Sequence, residues 1–182
     1  MGDADFDTKS YKACFVGRNG VFTRLPRNGA INPLTFEVFQ EVPLGLNLLG
    51  DKGYYIAIVE NEKGNLPNYD YPKILALVER TIRGLLAYPT GFRYCTHPIA
   101  VKCDCRMPKT GLFQWFADDV GIDLKASAMI AAKSYHVQAA EAVGIANIVR
   151  VPTGNNRWAK ETEKYPLAEN CLEAAKLILE NE

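Results

Sequence analysis

The chain carries no excess of charge of either sign. Its 182 residues hold 21 basic and 21 acidic side chains, for a formal net charge of zero. This excludes a general nucleic-acid or acidic-surface binder, which carries a basic surplus. It also removes one barrier to self-association. Long apolar runs are missing as well. Nowhere do about 18 such residues follow one another, so no membrane-spanning helix is expected. The opening MGDADFDTKS has three aspartates and no apolar stretch, unlike a signal peptide or anchor. Phe6 stands where a myristoylation signal requires Ser or Thr. Residues 1–10 read as a flexible tail. An even cysteine count is also absent. The five cysteines are Cys14, Cys95, Cys103, Cys105 and Cys171. An odd number without a leader points to free thiols in a reducing, cytoplasmic setting. Histidines are few, only His97 and His136. Walker A spacing, dinucleotide fingerprints, repeats and low-complexity segments are all missing.

What is present suits one domain over residues 11–182, with 48% apolar and 23% charged residues. Tyr11–Val16 reads as a strand. Asn19-Gly20 then gives a hairpin signal, and Val21–Arg24 is the expected partner. Asn28-Gly29 repeats the signal. Leu34–Val42 alternates apolar and polar residues, as a half-buried strand does, and Pro43–Gly53 is a glycine-rich connector. Tyr54–Val59 is apolar on both faces, as in a parallel sheet covered on both sides. Pro72 opens a helix whose apolar positions recur at three- and four-residue steps to Tyr88. A strand is expected between Tyr94 and Cys105, interrupted at Pro98. Leu112–Val120 reads as a helix. An alanine-rich helix, capped by Asp123, should run to Val143. Asn147–Val151 is a strand, and Leu167–Leu179 the last helix. The expected fold is α/β, or α+β. Its mixed sheet has an N-terminal antiparallel β-meander, then a largely parallel βαβαβα portion with helices packed on the sheet.

In such sheets ligands bind beyond the carboxyl ends of the strands. Three loops leave expected strand ends: 61–71, 104–111 and 152–158. The last contains Thr153, Gly154, Asn155, Asn156 and Arg157. An ordinary turn is the simpler reading of it. The sharper reading is a grip on an anion, because Arg157 can hold a carboxylate or phosphate in two places. The expected ligand-binding set is Arg106, Thr153, Asn155, Asn156 and Arg157, with Asp104 and His136 as candidate catalytic proton-transfer groups. If the strand ran unbroken, Cys95, His97, Cys103 and Cys105 would share one parity, with their ends roughly 30 Å apart, which favours a core role, and no metal is assigned. A thiolate metal site and a reactive thiol beside Arg106 are the alternatives. Phe113, Trp115 and Phe116 read as core packing, or as a lid or subunit contact.

The function expected is therefore a small cytoplasmic enzyme or ligand-binding protein. It acts on an anionic small molecule at the strand-end loops, without general nucleic-acid or membrane binding. One alternative is a non-enzymatic, self-associating scaffold or regulatory subunit, a homo-oligomer. The other is a thiolate metal-binding protein. Reaction, substrate and cofactor are not assigned, and no motif is specific enough to name a family.

Overall fold

A computed structural model of the protein describes residues 10–23, 36–62, 70–152 and 158–182. Its organising element is a five-stranded sheet: β1 (Ala13–Gly17), β2 (Tyr55–Asn61), β3 (Thr90–Cys95), β4 (Ala128–Ala131) and β5 (Asn147–Arg150). Their spatial order is β3-β2-β1-β4-β5, and every pairing is parallel. Parallel neighbours need crossovers, which helices supply. The irregular turn α1 (Arg18–Val21) and α2 (Glu41–Asp51) lie between β1 and β2. Then α3 (Tyr71–Leu85), α4 (Gly111–Val120) and α5 (Ser134–Ala142) make the next three crossovers, and α6 (Cys171–Glu180) follows β5. Among the described residues no helix is long and apolar enough to cross a membrane.

The α/β class and the parallel C-terminal portion are as expected, whereas the antiparallel meander is not. β1 pairs with β2 on one side and β4 on the other, so it leaves no edge for Val21–Arg24. Asn19-Gly20 therefore turns the chain into α1, with Gly20 at φ 97°. Asn28-Gly29 lies outside the described residues. Where a half-buried strand was expected to end, residues 36–39 have no regular structure and α2 starts at Glu41. Pro43 sits in the first turn of α2, where its missing N–H leaves no helical bond unmade.

The alanine-rich segment differs as well. The Asp123 side chain accepts from the backbone N–H groups of Lys125 and Ala126, at 2.9 and 3.2 Å, and closes a turn rather than opening a long helix. Ala128–Ala131 then enter the sheet as β4, all four buried. Burial between two layers overrides the helix preference of alanine. The third strand lies earlier than expected, at Thr90–Cys95, and a one-turn 3-10 helix at Ile99–Val101 helps fold the following chain back. Other elements match closely. Asp70 caps α3 by accepting from the Lys73 N–H, with Pro72 in its first turn.

Successive strand residues face opposite sides of the sheet. Cys14, Val16, Ile56, Ile58 and Ile130 join a core with α2, α3 and α6. Phe15, Ala57, Val59, Met129 and Ala131 join one with α4 and α5. Phe113 and Phe116 pack on Phe15 at ring-centroid distances of 4.6 and 5.6 Å, so both belong to the core.

Helix α2 meets α6 at Gly45, where an added Cβ would lie 2.7 Å from the Cys171 carbonyl oxygen. Gly45→Ala should therefore destabilise the fold by about 1–3 kcal/mol in urea unfolding. Gly84→Ala, in α3 with open space around it, should instead stabilise by roughly 0.5–1 kcal/mol.

Candidate functional site

The chain builds outward from β1 to β2 and β3, then returns to place β4 on the other side of β1. The topological switch point therefore lies at the carboxyl end of β1, where open α/β sheets bind ligands. β1 ends there in Gly17, which has no side chain. A Cβ on it would lie 2.2 Å from the His136 ring, so the imidazole occupies that space. A cleft of about 320 Å³ opens at the same edge, lined among others by Gly20, Val21, Val42, Val151 and Asn170.

Two glutamates from the end of β2 are buried here. Glu62 is paired with Arg18, both side chains fully buried, and accepts from the Tyr71 hydroxyl. The Arg18 guanidinium also lies over the Tyr94 ring, 4.8 Å from its centroid. Among the described residues its Nε and Nη1 have no hydrogen-bond partner.

Glu60 is fully buried in the next position but one. Its Oε2 accepts from the Asn19 backbone N–H at 2.7 Å. Its Oε1 accepts from the Asn61 backbone N–H at 3.0 Å and from the Tyr135 hydroxyl at 2.7 Å. The Lys133 ammonium is 3.5 Å from the same oxygen and donates to Tyr135 at 2.9 Å. His136 faces it too, with Nε2 at 3.6 Å. Burial pushes the Glu60 carboxyl up. The facing imidazole N–H, Lys133 and Arg18 outweigh that and hold it well below the usual carboxylate range. For His136 burial dominates and lowers its pKa. The neutral ring accepts from the Ala132 N–H through Nδ1, at 3.3 Å.

The second cluster stands at the end of β3. Because that strand ends at Cys95, shared strand parity does not govern the later cysteines, and the returning loop brings all four groups together. The Sγ atoms of Cys95, Cys103 and Cys105 and a ring nitrogen of His97 lie within 4.8 Å of one another. Cys95–Cys103 is 3.5 Å, Cys103–Cys105 3.4 Å and His97 Nδ1–Cys105 3.2 Å. Three thiolates and one imidazole in this compass are a donor set for a four-coordinate zinc ion. Burial acts to raise the Cys103 thiol, but hydrogen bonds from Cys105 and Cys95 bring it down to about 7. Burial foremost pushes Cys105 up to about 12.

The expected site residues are dispersed. Asp104 lies on the thiol loop, its side chain 98% exposed and paired with Lys109 at 2.9 Å. His136 lies beneath the sheet end. Arg106 is half-buried and donates to the Glu62 and His97 carbonyl oxygens, at 2.6 and 2.7 Å. Thr153, Asn155, Asn156 and Arg157 lie outside the described residues. Sequence reasoning missed Arg18, Glu60, Lys133 and Tyr135. A lysine directly after the buried run 128–132 was the available signal, hidden because that run was taken as helix.

No protein-family model matches the chain. It is 30% identical over 175 residues to the D-glycero-β-D-manno-heptose-1,7-bisphosphate 7-phosphatase of Haemophilus ducreyi, covering 88% of this chain and 94% of that protein. It is 28% identical over 185 residues to the D-glycero-α-D-manno-heptose-1,7-bisphosphate 7-phosphatase of Photorhabdus laumondii, covering 92% and 96%. Among solved structures, the D,D-heptose 1,7-bisphosphate phosphatase from B. bronchiseptica, complexed with magnesium and phosphate, matches with a TM-score of 0.77 at 17% identity. The match covers 94% of this chain and 99% of that one. The shared fold is that of HAD-like phosphatases.

Removing one partner of a fully buried ion pair leaves the other charge uncompensated. Glu62→Gln should thus cost about 3–5 kcal/mol in denaturant unfolding, and the double change Arg18→Met with Glu62→Leu should cost less than the sum of the single changes. Purified protein should carry about one zinc per chain by elemental analysis, and Cys103→Ser should lower that occupancy.

Proposed function

The chain belongs to the heptose-1,7-bisphosphate 7-phosphatase family, and on that footing we propose that it recognises a phosphorylated sugar at the carboxyl edge of its sheet without hydrolysing it. The recognition half rests on the relatives, which by name act on a phosphorylated sugar, and on the cleft beside Gly20. Lys133, a quarter exposed, supplies positive charge at that edge. Arg106 and, from the loop after β5, Thr153, Asn155, Asn156 and Arg157 are the candidates for the ligand's polar groups. Asp104 and His136 are less suited to proton transfer: one is exposed and ion-paired, the other buried.

The absence of hydrolysis rests on what the sheet end presents. Phosphoryl transfer to water requires an activated nucleophile: a side chain, a metal-bound water or a water held against a general base. Gly17 offers no side chain, and the Asn19 amide is neither nucleophile nor base. The B. bronchiseptica protein holds magnesium and phosphate. Magnesium requires open carboxylate oxygens. Glu41 and Glu169 line the outer cleft, and at the end of β2, among the described residues, the carboxylates are Glu60 and Glu62. Both are buried, one tied to Arg18 and Tyr71, the other to Asn19, Asn61, Tyr135 and Lys133. These residues do not fit a magnesium ion. The observation that carries the reading is this pairing of both glutamates beside a side-chain-free Gly17. The free state of all five cysteines suits a cytoplasmic setting.

With magnesium and a heptose bisphosphate, the protein should release no phosphate above the buffer rate. Titration calorimetry with the same sugar should show saturable binding, weakened about tenfold or more by Lys133→Ala. Turnover would overturn the non-hydrolytic half of the proposal, and absence of binding the recognition half.

A further inference from the structure

We propose that the Glu60 carboxylate is a built-in occupant of the anion-binding position at the switch point, filling from within the protein the place an external phosphate would take. This deepens the reading above and rests on it for the nature of the outer ligand.

Four donor groups and an imidazole ring from three separate elements converge on this one side chain. Backbone N–H groups come from Asn19 in α1 and Asn61 at the end of β2. The Lys133 ammonium and the Tyr135 hydroxyl come from the β4–α5 junction, and the His136 ring from α5 faces the same oxygen. Two main-chain N–H groups, an ammonium and a hydroxyl around one point form an anion cradle. No apolar packing requires a carboxylate at the end of a buried strand, and an ion there is costly unless fully solvated by the protein. Arg18 and Glu62 lie alongside as a closed pair, so the cation left to balance Glu60 is Lys133, a quarter of whose side chain stays open toward the outer ligand. The inner position is therefore neutralised internally. A phosphorylated sugar is held by its hydroxyls and an outer anionic group, with no phosphate in the inner cradle.

The test uses inorganic phosphate as the probe and thermal unfolding as the readout, in chloride buffer of matched ionic strength. The wild type should not shift with phosphate. Glu60→Ala empties the cradle while leaving its donors. It should melt lower than the wild type in chloride and regain roughly 3–6 °C as millimolar phosphate saturates the site. Adding Lys133→Ala to Glu60→Ala should abolish that gain, which separates the cradle from general salt effects. Saturable phosphate binding by the wild type would overturn the proposal whether or not the alanine variant folds. A Glu60→Ala protein that is equally unstable in chloride and phosphate would overturn it too, because phosphate must be able to replace the lost carboxylate. A heptose bisphosphate run in parallel separates this proposal from the one beneath it. If phosphate rescues Glu60→Ala but the sugar shifts neither protein, the internal anion stands and sugar recognition falls. If the sugar binds the wild type and phosphate rescues nothing, recognition stands and the internal anion falls.

Discussion

Two carboxylates stand at the end of β2 where water does not reach them, and neutralising them dictates the local arrangement of every element that meets there. An unpaired charge in such a place costs several kcal/mol even after the protein relaxes around it. Glu62 takes the Arg18 guanidinium and the Tyr71 hydroxyl, which ties α1 to α3. Glu60 takes the Asn19 N–H and the Lys133–Tyr135 pair, which ties α1 to the β4–α5 junction. The irregular path of α1, with Gly20 at positive φ, is what delivers both Arg18 and the Asn19 N–H inward. Such a network adds little net stability over an apolar core but tolerates the loss of no single member. It therefore fixes geometry more than it adds stability.

The same edge is linked to the thiol cluster through Arg106. Its Nη2 donates to the Glu62 carbonyl and to the His97 carbonyl, joining the end of β2 to the loop that carries the sulfur ligands. Lys109 steadies that loop from outside by bonding to the Lys102 carbonyl and to Asp104. A metal held by Cys95, His97, Cys103 and Cys105 would stiffen a segment that has almost no regular structure of its own. Ile99 and Val101 in it are exposed and supply little packing. This is the situation in which a metal replaces a hydrophobic core as the source of local order.

Much of the fold was legible from local pattern. The doubly apolar strand at Tyr54–Val59, the Pro72 helix and the final strand and helix follow from periodicity and capping chemistry alone. The errors share one cause: they occurred where partners distant in sequence decide the outcome. Asn19-Gly20 looks like a hairpin turn until β4 is known to occupy the far side of β1. Ala128–Ala131 look helical until two layers of helices enclose them. The site was less legible for the same reason. Arg18, Glu60 and Lys133 are unremarkable in the sequence and become a cluster only through the order β2-β1-β4. Cys95, His97, Cys103 and Cys105 were visible as a group. The assumption of a continuous strand placed their ends too far apart, and the fold-back after Cys95 removes that distance.

Gly17 and His136 share one volume, since the ring fills the space that any side chain at position 17 would enter. The two positions therefore cannot vary independently. A carboxylate introduced at the end of β1 would meet the imidazole before it met a ligand, and the ring would have to shrink or leave first. Placing a side chain at that point crosses a less stable intermediate in either order: an overpacked site if position 17 changes first, a cavity beside an ionised Glu60 if position 136 does.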